Sequence, residues 1–170
     1  MLIRPETPSE FDAIRELVRA AFATARHANG DEHEYVDRLR SSGGYVPELA
    51  LVAEETGRLI AHILLTRIFL SGADGPRPVL LLSPLAVAPD RQNQGVGTRL
   101  ARESLERAAA LGHSAVIVLG DPAFYERIGF GTSTLFGIIN RDGFDDRNVM
   151  ALELRAGALA NGMATVSFPT

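Results

Sequence analysis

The stretch from Val79 to Leu119 constrains the fold more than any other. Val79–Val87 is almost purely apolar, which suits a strand buried on both faces. Pro89 and the polar run Asp90–Gln94 follow. Gly97, Leu100, Ala101, Ser104, Leu105, Ala108 and Leu111 then recur on one helical face, closed by Gly112. Ala115–Leu119 reads as a second buried strand. Strand, glycine-bearing turn, helix, strand predicts a right-handed crossover joining parallel or near-parallel strands.

The flanking segments fit around that unit. Leu2-Ile3 predict a short strand ending at Pro5. Thr7-Pro8-Ser9-Glu10 has the form of a capping box with proline at the first helical position. Phe11, Ile14, Leu17, Val18, Ala21 and Phe22 follow at helical spacing, which predicts a helix ending near Thr24. A second helix is predicted over Glu32–Arg40, stopped by Ser42-Gly43-Gly44. Leu49–Glu54 and Leu59–Leu70 read as a hairpin around Glu55-Thr56-Gly57, and Ser71–Pro78 as a loop. Downstream, a short helical turn over Phe124–Ile128 ends at Gly129. Phe136–Arg147 reads as loop, Val149–Leu154 as a strand and Thr165–Phe168 as one more. The order βααβββαβαβ(β) is an α/β sheet of mixed strand direction with helices on both faces.

A chain of 170 residues with 46% hydrophobic and 22% charged residues has the make-up of one globular domain, residues 1–170. Cysteine is absent, which removes disulfides, thiolate metal sites and thiol nucleophiles together. All 17 basic residues are arginine, so neither Schiff-base chemistry nor the lysine of a phosphate-loop NTPase is available. A net charge of −4 argues against a nucleic-acid partner, because such binding is driven by phosphate neutralisation. The first ten residues lack the apolar stretch of a secretory signal, and the longest apolar run is about half a bilayer span. No membrane partner and a cytoplasmic location are therefore expected.

The turn Leu85-Ala86-Val87-Ala88-Pro89-Asp90-Arg91-Gln92-Asn93-Gln94-Gly95-Val96-Gly97-Thr98 carries the functional signal. A helix beginning there leaves its first amide N–H groups unpaired, and the glycines let an anion come close. A Rossmann fingerprint fails, because the position three after Gly97 is Leu100. The pattern Gln92-x-x-Gly95-x-Gly97 resembles the acetyl-CoA pyrophosphate loop of the GNAT superfamily of N-acetyltransferases. Leu119-Gly120-Asp121-Pro122-Ala123-Phe124-Tyr125-Glu126-Arg127-Ile128-Gly129-Phe130 resembles the Tyr-x-x-x-Gly-Phe motif of the same superfamily. Two motifs in the expected order, one helix and one strand apart, are far more specific than either. The form of positions 44–54 and 119–125 is similar to the YhbS-like branch. Asparagine is missing about seven residues before the tyrosine, so Asp121 is given no catalytic role.

The resemblance implies a GNAT-type sheet, mixed and mostly antiparallel, with helices on both faces and a splayed parallel strand pair. It implies acetyl-CoA as cosubstrate, held by Leu85, Ala86, Val87, Arg91, Gln92, Gln94, Gly95, Val96, Gly97 and Thr98. It also implies direct attack of an amine on the thioester in a ternary complex, with the Val87 N–H facing the oxyanion and Tyr125 beside the leaving sulfur. An alkylammonium of pKa near 10.4 is only about one part in a thousand neutral at pH 7.4, roughly 4 kcal/mol that a base must help offset. Glu34 is the first candidate for that base and Glu54 the second. The acceptor is a small-molecule or peptide amine, and relatives suggest a homodimer. The competing reading is an acyl-CoA-binding sensor without catalysis.

Other polar residues have plainer readings. His27 and His33 lack ligand spacing, so no metal is expected; His62, inside an apolar strand, reads as a satisfied core or cleft residue. Arg99, Arg102 and Arg107, interleaved with Glu103 and Glu106, read as a solvated helix face, with Arg99 near enough to approach a CoA phosphate. Acceptor specificity is expected in the Arg26–Gly44 segment and the Ser71–Pro78 loop.

Overall fold

The computed structural model describes residues 1–23, 29–160 and 162–170. Thr24, Arg26 and His27 therefore lie outside the described residues. The elements are strand β1 (Leu2–Pro5), helices α1 (Phe11–Phe22) and α2 (Glu32–Arg40), then strands β2 (Tyr45–Glu55), β3 (Arg58–Gly72) and β4 (Gly75–Val87). Helix α3 (Val96–Ala110), strand β5 (Ala115–Leu119), helix α4 (Pro122–Tyr125) and the short strands β6 (Gly131–Thr132), β7 (Ile138–Asn140), β8 (Val149–Glu153) and β9 (Ala164–Val166) complete it. The sheet is mixed and mostly antiparallel, with helices flanking it and two parallel pairs, β4 with β5 and β7 with β9.

Two compact units divide the chain: Met1–Thr66 with Ser83–Arg107, and Arg67–Leu82 with Ala108–Thr170. In the first, β1, β2 and β3 pair antiparallel in sequence order. Ile14, Val18 and Ala21 of α1 and Val36 and Leu39 of α2 pack on Ala50, Val52, Leu64 and Ala86 of the strands. Each fully buried Val, Leu or Ile among them contributes about 1.5–3 kcal/mol. The capping box predicted at Thr7 opens this unit: the Thr7 N–H donates to Glu10 at 2.8 Å. Glu10 in turn accepts two bonds from Arg4, which hold its carboxyl down to about 2. One turn of 3₁₀ helix, Pro8–Glu10, precedes α1.

In the second unit β4 pairs parallel with β5 over Leu80–Leu82 and Val116–Val118, and β8 runs antiparallel along β5. Ile68, Leu70, Val79, Leu81, Ile117 and Val149 are among the residues of its core. Two expectations are corrected here. Ser71–Pro78 is no loop: β3 runs to Gly72 and β4 starts at Gly75, leaving only a tight turn. Pro76 and Pro78 alternate, so the N–H groups they lack fall on one edge of the strand, where they cost the other ladder nothing. Phe136–Arg147 likewise contains β7, which pairs parallel with β9.

Candidate functional site

The turn expected to bind an anion is built as its residue types dictate. Asn93 (φ +58°) and Gly95 (φ +80°) adopt the left-handed region on either side of Gln94, which bends the backbone into a concavity of N–H groups. A Cβ added at Gly95 would meet nothing within 4 Å, so the space over that backbone is open. The Arg99 N–H already closes the first turn of α3 on the Gly95 carbonyl at 3.0 Å. The N–H groups of Gln94, Gly95, Val96, Gly97 and Thr98 meet no carbonyl among the described residues. With the partial positive charge of a 15-residue helix behind them, they form a set of donors of the kind that suits an anion.

Side chains brace the turn rather than fill it. Gln92 Nε2 donates to the Val87 carbonyl at 3.1 Å and to the Ala21 carbonyl at 3.4 Å, tying the strand end to α1. Gln94 Nε2 donates to the Asp90 carbonyl at 2.9 Å. Arg58 clamps Asp90 with two bonds of 2.7 and 2.8 Å and holds its carboxyl below the usual range. Arg91, expected at a CoA phosphate, is turned to Glu55 at 3.1 Å.

Arg102 is the residue that sequence reasoning undervalued. It lines a groove with Gly95, Thr98, Arg99, Glu103 and Glu106. Arg107, placed on the same face by the sequence, is instead paired with Glu103 at 2.8 Å and donates to the Ile3 carbonyl. Arg99 and Arg102 pair with no carboxylate among the described residues, so their charge stands free beside Gly95 and Thr98. The signal was their spacing of one helical turn, directly after the glycines.

On β4 the Ala88 N–H donates to the Ile60 carbonyl of β3 at 2.9 Å. Successive N–H groups of a strand point to opposite edges, so the Val87 N–H is turned away from β3. The β4–β5 ladder has already stopped at Leu82.

Tyr125 belongs to the other unit. Asp121 caps α4, its Oδ1 accepting from the Ala123 N–H at 2.9 Å. Gly129, at φ +103°, ends the turn that follows. The Tyr125 ring is 8% exposed and meets Phe124 and Phe130 edge-on, at centroid distances of 4.9 and 5.4 Å. One edge of the ring closes on Gly120, where a Cβ would come 2.2 Å from Cε2 and 2.7 Å from Cδ2. Burial pushes the phenol well above its usual value, so the group is a donor at every physiological pH. Its hydroxyl makes no hydrogen bond to the described residues.

The two acidic candidates differ in their surroundings. Glu34 is exposed on α2, with Oε1 3.7 Å from Arg15, which also pairs with Asp37. Glu54 is spent on Arg4, which approaches it at 2.7 Å.

A cluster invisible in the sequence lies beneath α2. Glu6 Oε1 accepts from Arg40 Nε at 2.8 Å and from the Tyr45 hydroxyl at 3.0 Å; Oε2 accepts from Arg40 Nη2 at 2.7 Å and faces His62 Nε2 at 2.8 Å. Burial alone would raise the Glu6 carboxyl, but the bonds from Arg40 and His62 outweigh it and bring it down to about 2. Burial lowers His62 against the pull of Glu6. His62 was expected to be satisfied: its Nε2 is, while Nδ1 is sealed and meets no partner among the described residues.

With this geometry in place, comparison with known proteins gives a consistent result. A family model described as Acetyltransferase (GNAT) domain matches residues 2–133. The uncharacterised N-acetyltransferase YjhQ of Escherichia coli K12 is 35% identical over 122 residues, 72% of this chain. The uncharacterised N-acetyltransferase YhbS of the same strain is 34% identical over 131 residues, 76% of this chain. The match spans 65% of the length of YjhQ and 73% of that of YhbS. Among solved structures, E. coli YhbS in complex with CoA superposes with a TM-score of 0.84 at 27% identity, covering 98% of this chain and 89% of that one. A GNAT family acetyltransferase from Brucella melitensis in complex with acetyl-CoA gives 0.74 at 30% identity, covering 89% and 86%.

Proposed function

Since the chain belongs to the GNAT acetyltransferase family, we propose that it moves the acetyl group of acetyl-CoA to a primary amine by direct attack in a ternary complex. The observation that carries this reading is the run of uncapped N–H groups from Gln94 to Thr98 over an open Gly95. The diphosphate of acetyl-CoA has the charge and the acceptor oxygens such a cradle takes. The backbone from Leu85 to Val87 runs beside its pantetheine arm. Arg99 and Arg102 face a further phosphate of the same nucleotide. Arg91 joins them by exchanging Glu55 for phosphate, since an exposed ion pair is worth only about 0–1 kcal/mol.

The chemistry divides among few groups. The Val87 N–H polarises the thioester carbonyl and receives the oxyanion. Glu34, on α2, draws in the acceptor ammonium and takes its first proton. Tyr125 donates a hydrogen bond to the leaving sulfur; a phenol raised by burial keeps most of its hold on the proton while a thiolate with pKa near 8.5 departs, so its help is electrostatic. The acceptor is a small-molecule or peptide amine. We read residues 1–170 as one domain. We place the enzyme in the cytoplasm as a homodimer, which equilibrium sedimentation checks; no helix among the described residues is long and apolar enough to cross a membrane.

The experiment is a calorimetric titration with acetyl-CoA, followed by thiol release across polyamines, aminoglycosides, amino acids and peptides with free N-termini. Saturable binding with amine-dependent thiol release supports the enzyme. Binding without thiol release marks an acyl-CoA sensor, and no binding removes both readings.

A further inference from the structure

Two arginines of α3 hold charge that the fold itself does not use. Arg99 and Arg102 stand one helical turn apart, so they share a face of the helix, and both are exposed. Neither meets a carboxylate among the described residues, whereas Arg107 on the same helix takes Glu103 at 2.8 Å. Both line a groove with Gly95, Thr98, Glu103 and Glu106. Those six positions recur at the spacing of a single stripe along α3, so the groove starts at the glycine turn and runs down the helix. Its volume of about 430 Å³ lies in the range of small-ligand sites.

The direction of helical side chains ties the pair to the turn. Such a side chain covers the turn on the N-terminal side of its own Cα, which for Arg102 is the turn of Thr98 and for Arg99 that of Gly95. A rise of about 1.5 Å per residue sets Arg102 about 6 Å along the axis beyond Thr98, comparable with the span of one ribose. The far end of the groove is closed by charge. Glu106 lies four residues beyond Arg102 and meets no cation among the described residues; arginine before glutamate is the weaker order for a pair on a helix. Its carboxylate repels an anion, which is thereby held to the stretch between Gly95 and Arg102.

We propose that this groove is a second anion site, distinct from the amide cradle, which takes the 3′-phosphate of the CoA ribose and makes the protein selective for the 3′-phosphorylated coenzyme. The inference rests on the acetyl-CoA reading above and names the group that Arg99 and Arg102 select. A phosphate monoester carries about −1.5 to −2 charges near neutrality, with a second pKa near 6, and is the most highly charged single phosphate of CoA. Guanidinium groups present paired N–H donors that match its oxygens. The amides of Gln94–Thr98 carry fixed partial charges and suit the diphosphate, whereas two full charges on movable side chains suit the dianion. A nucleotide with the diphosphate but without the 3′-phosphate forgoes this part of the binding.

Calorimetric titration with CoA and with 3′-dephospho-CoA, at about 0.1 M salt, tests the proposal. The wild type is expected to bind 3′-dephospho-CoA at least tenfold more weakly than CoA. In Arg99→Gln/Arg102→Gln the affinity for CoA should fall to that level, while the affinity for 3′-dephospho-CoA holds within about twofold and the preference vanishes. Equal affinities in the wild type overturn the inference and leave the diphosphate cradle standing. So does a preference that survives in the double variant. Saturable binding of neither compound overturns the acetyl-CoA reading as well. The ³¹P spectrum of CoA bound to the wild type reads the same contact without any variant. Its 3′-phosphate should titrate at lower pH than in free CoA, because neighbouring guanidinium charges favour the dianion; an unchanged midpoint overturns the inference.

Discussion

Gly120 and Tyr125 make one unit of two residues. The ring occupies the volume a side chain at 120 would need, so Gly120→Ala must displace either the ring or the backbone, at about 1–3 kcal/mol for overpacking of this kind. We expect the variant to lose at least tenfold in kcat while its calorimetric Kd for acetyl-CoA stays within about threefold. An unchanged kcat contradicts a role for the Tyr125 position. Glu6 sets a different test. Its folded value of about 2 lies below the unfolded 4.5, so its stabilisation is complete above pH 4.5 and is lost as pH falls from there toward 2. That amounts to about 3 kcal/mol. His62, lowered from 6.5, acts in the same direction as pH falls below that value. Urea midpoints should therefore drop between pH 6 and pH 3 in the wild type and less steeply in Glu6→Gln. These residues also mark how far sequence reading reaches. The bond from Thr7 to Glu10 was legible because its partners are local, whereas the His62–Glu6 contact joins residues 56 positions apart and leaves no pattern along the chain.

At the scale of elements, the strand–turn–helix unit was legible because each part has a local cause: an apolar strand, two glycines, a helical face and Gly112 at its end. Helix α2 and strand β5 fall on the expected residues for the same reason. The β3–β4 turn was misread because proline was weighed as a loop former, when at alternate positions it sits in a strand with one free edge. Strand β7, at three residues, is too short for any period to show, and only its pairing with β9 defines it. The turn itself offers the sharpest test at this scale. Gly95→Ala would force a Cβ into the left-handed region at about 1 kcal/mol and set it over the donors. A modest loss of thermal stability should accompany at least a tenfold weaker acetyl-CoA Kd by calorimetry. Full affinity in that variant contradicts the assigned cradle.

Across the whole molecule, a net charge of −4 gives no general attraction for a polyanion, so the proposed binding rests on local donors, with Arg99 and Arg102 beside them. Raising salt from 0.05 to 0.5 M should weaken acetyl-CoA binding in the wild type, and less so in Arg99→Gln/Arg102→Gln, as screening predicts. The family and its sheet were legible because the GNAT motifs occur in order along the chain. The acceptor was not, since it depends on how loops are placed in space, which composition does not encode. The account's central claim is that the backbone amides of Gln94–Thr98 hold the diphosphate, and amide NMR during titration with CoA tests it most directly. The prediction is that, at saturation, the largest shifts fall on Gln94, Gly95, Val96, Gly97 and Thr98; saturable binding that leaves those five amides unmoved would contradict it.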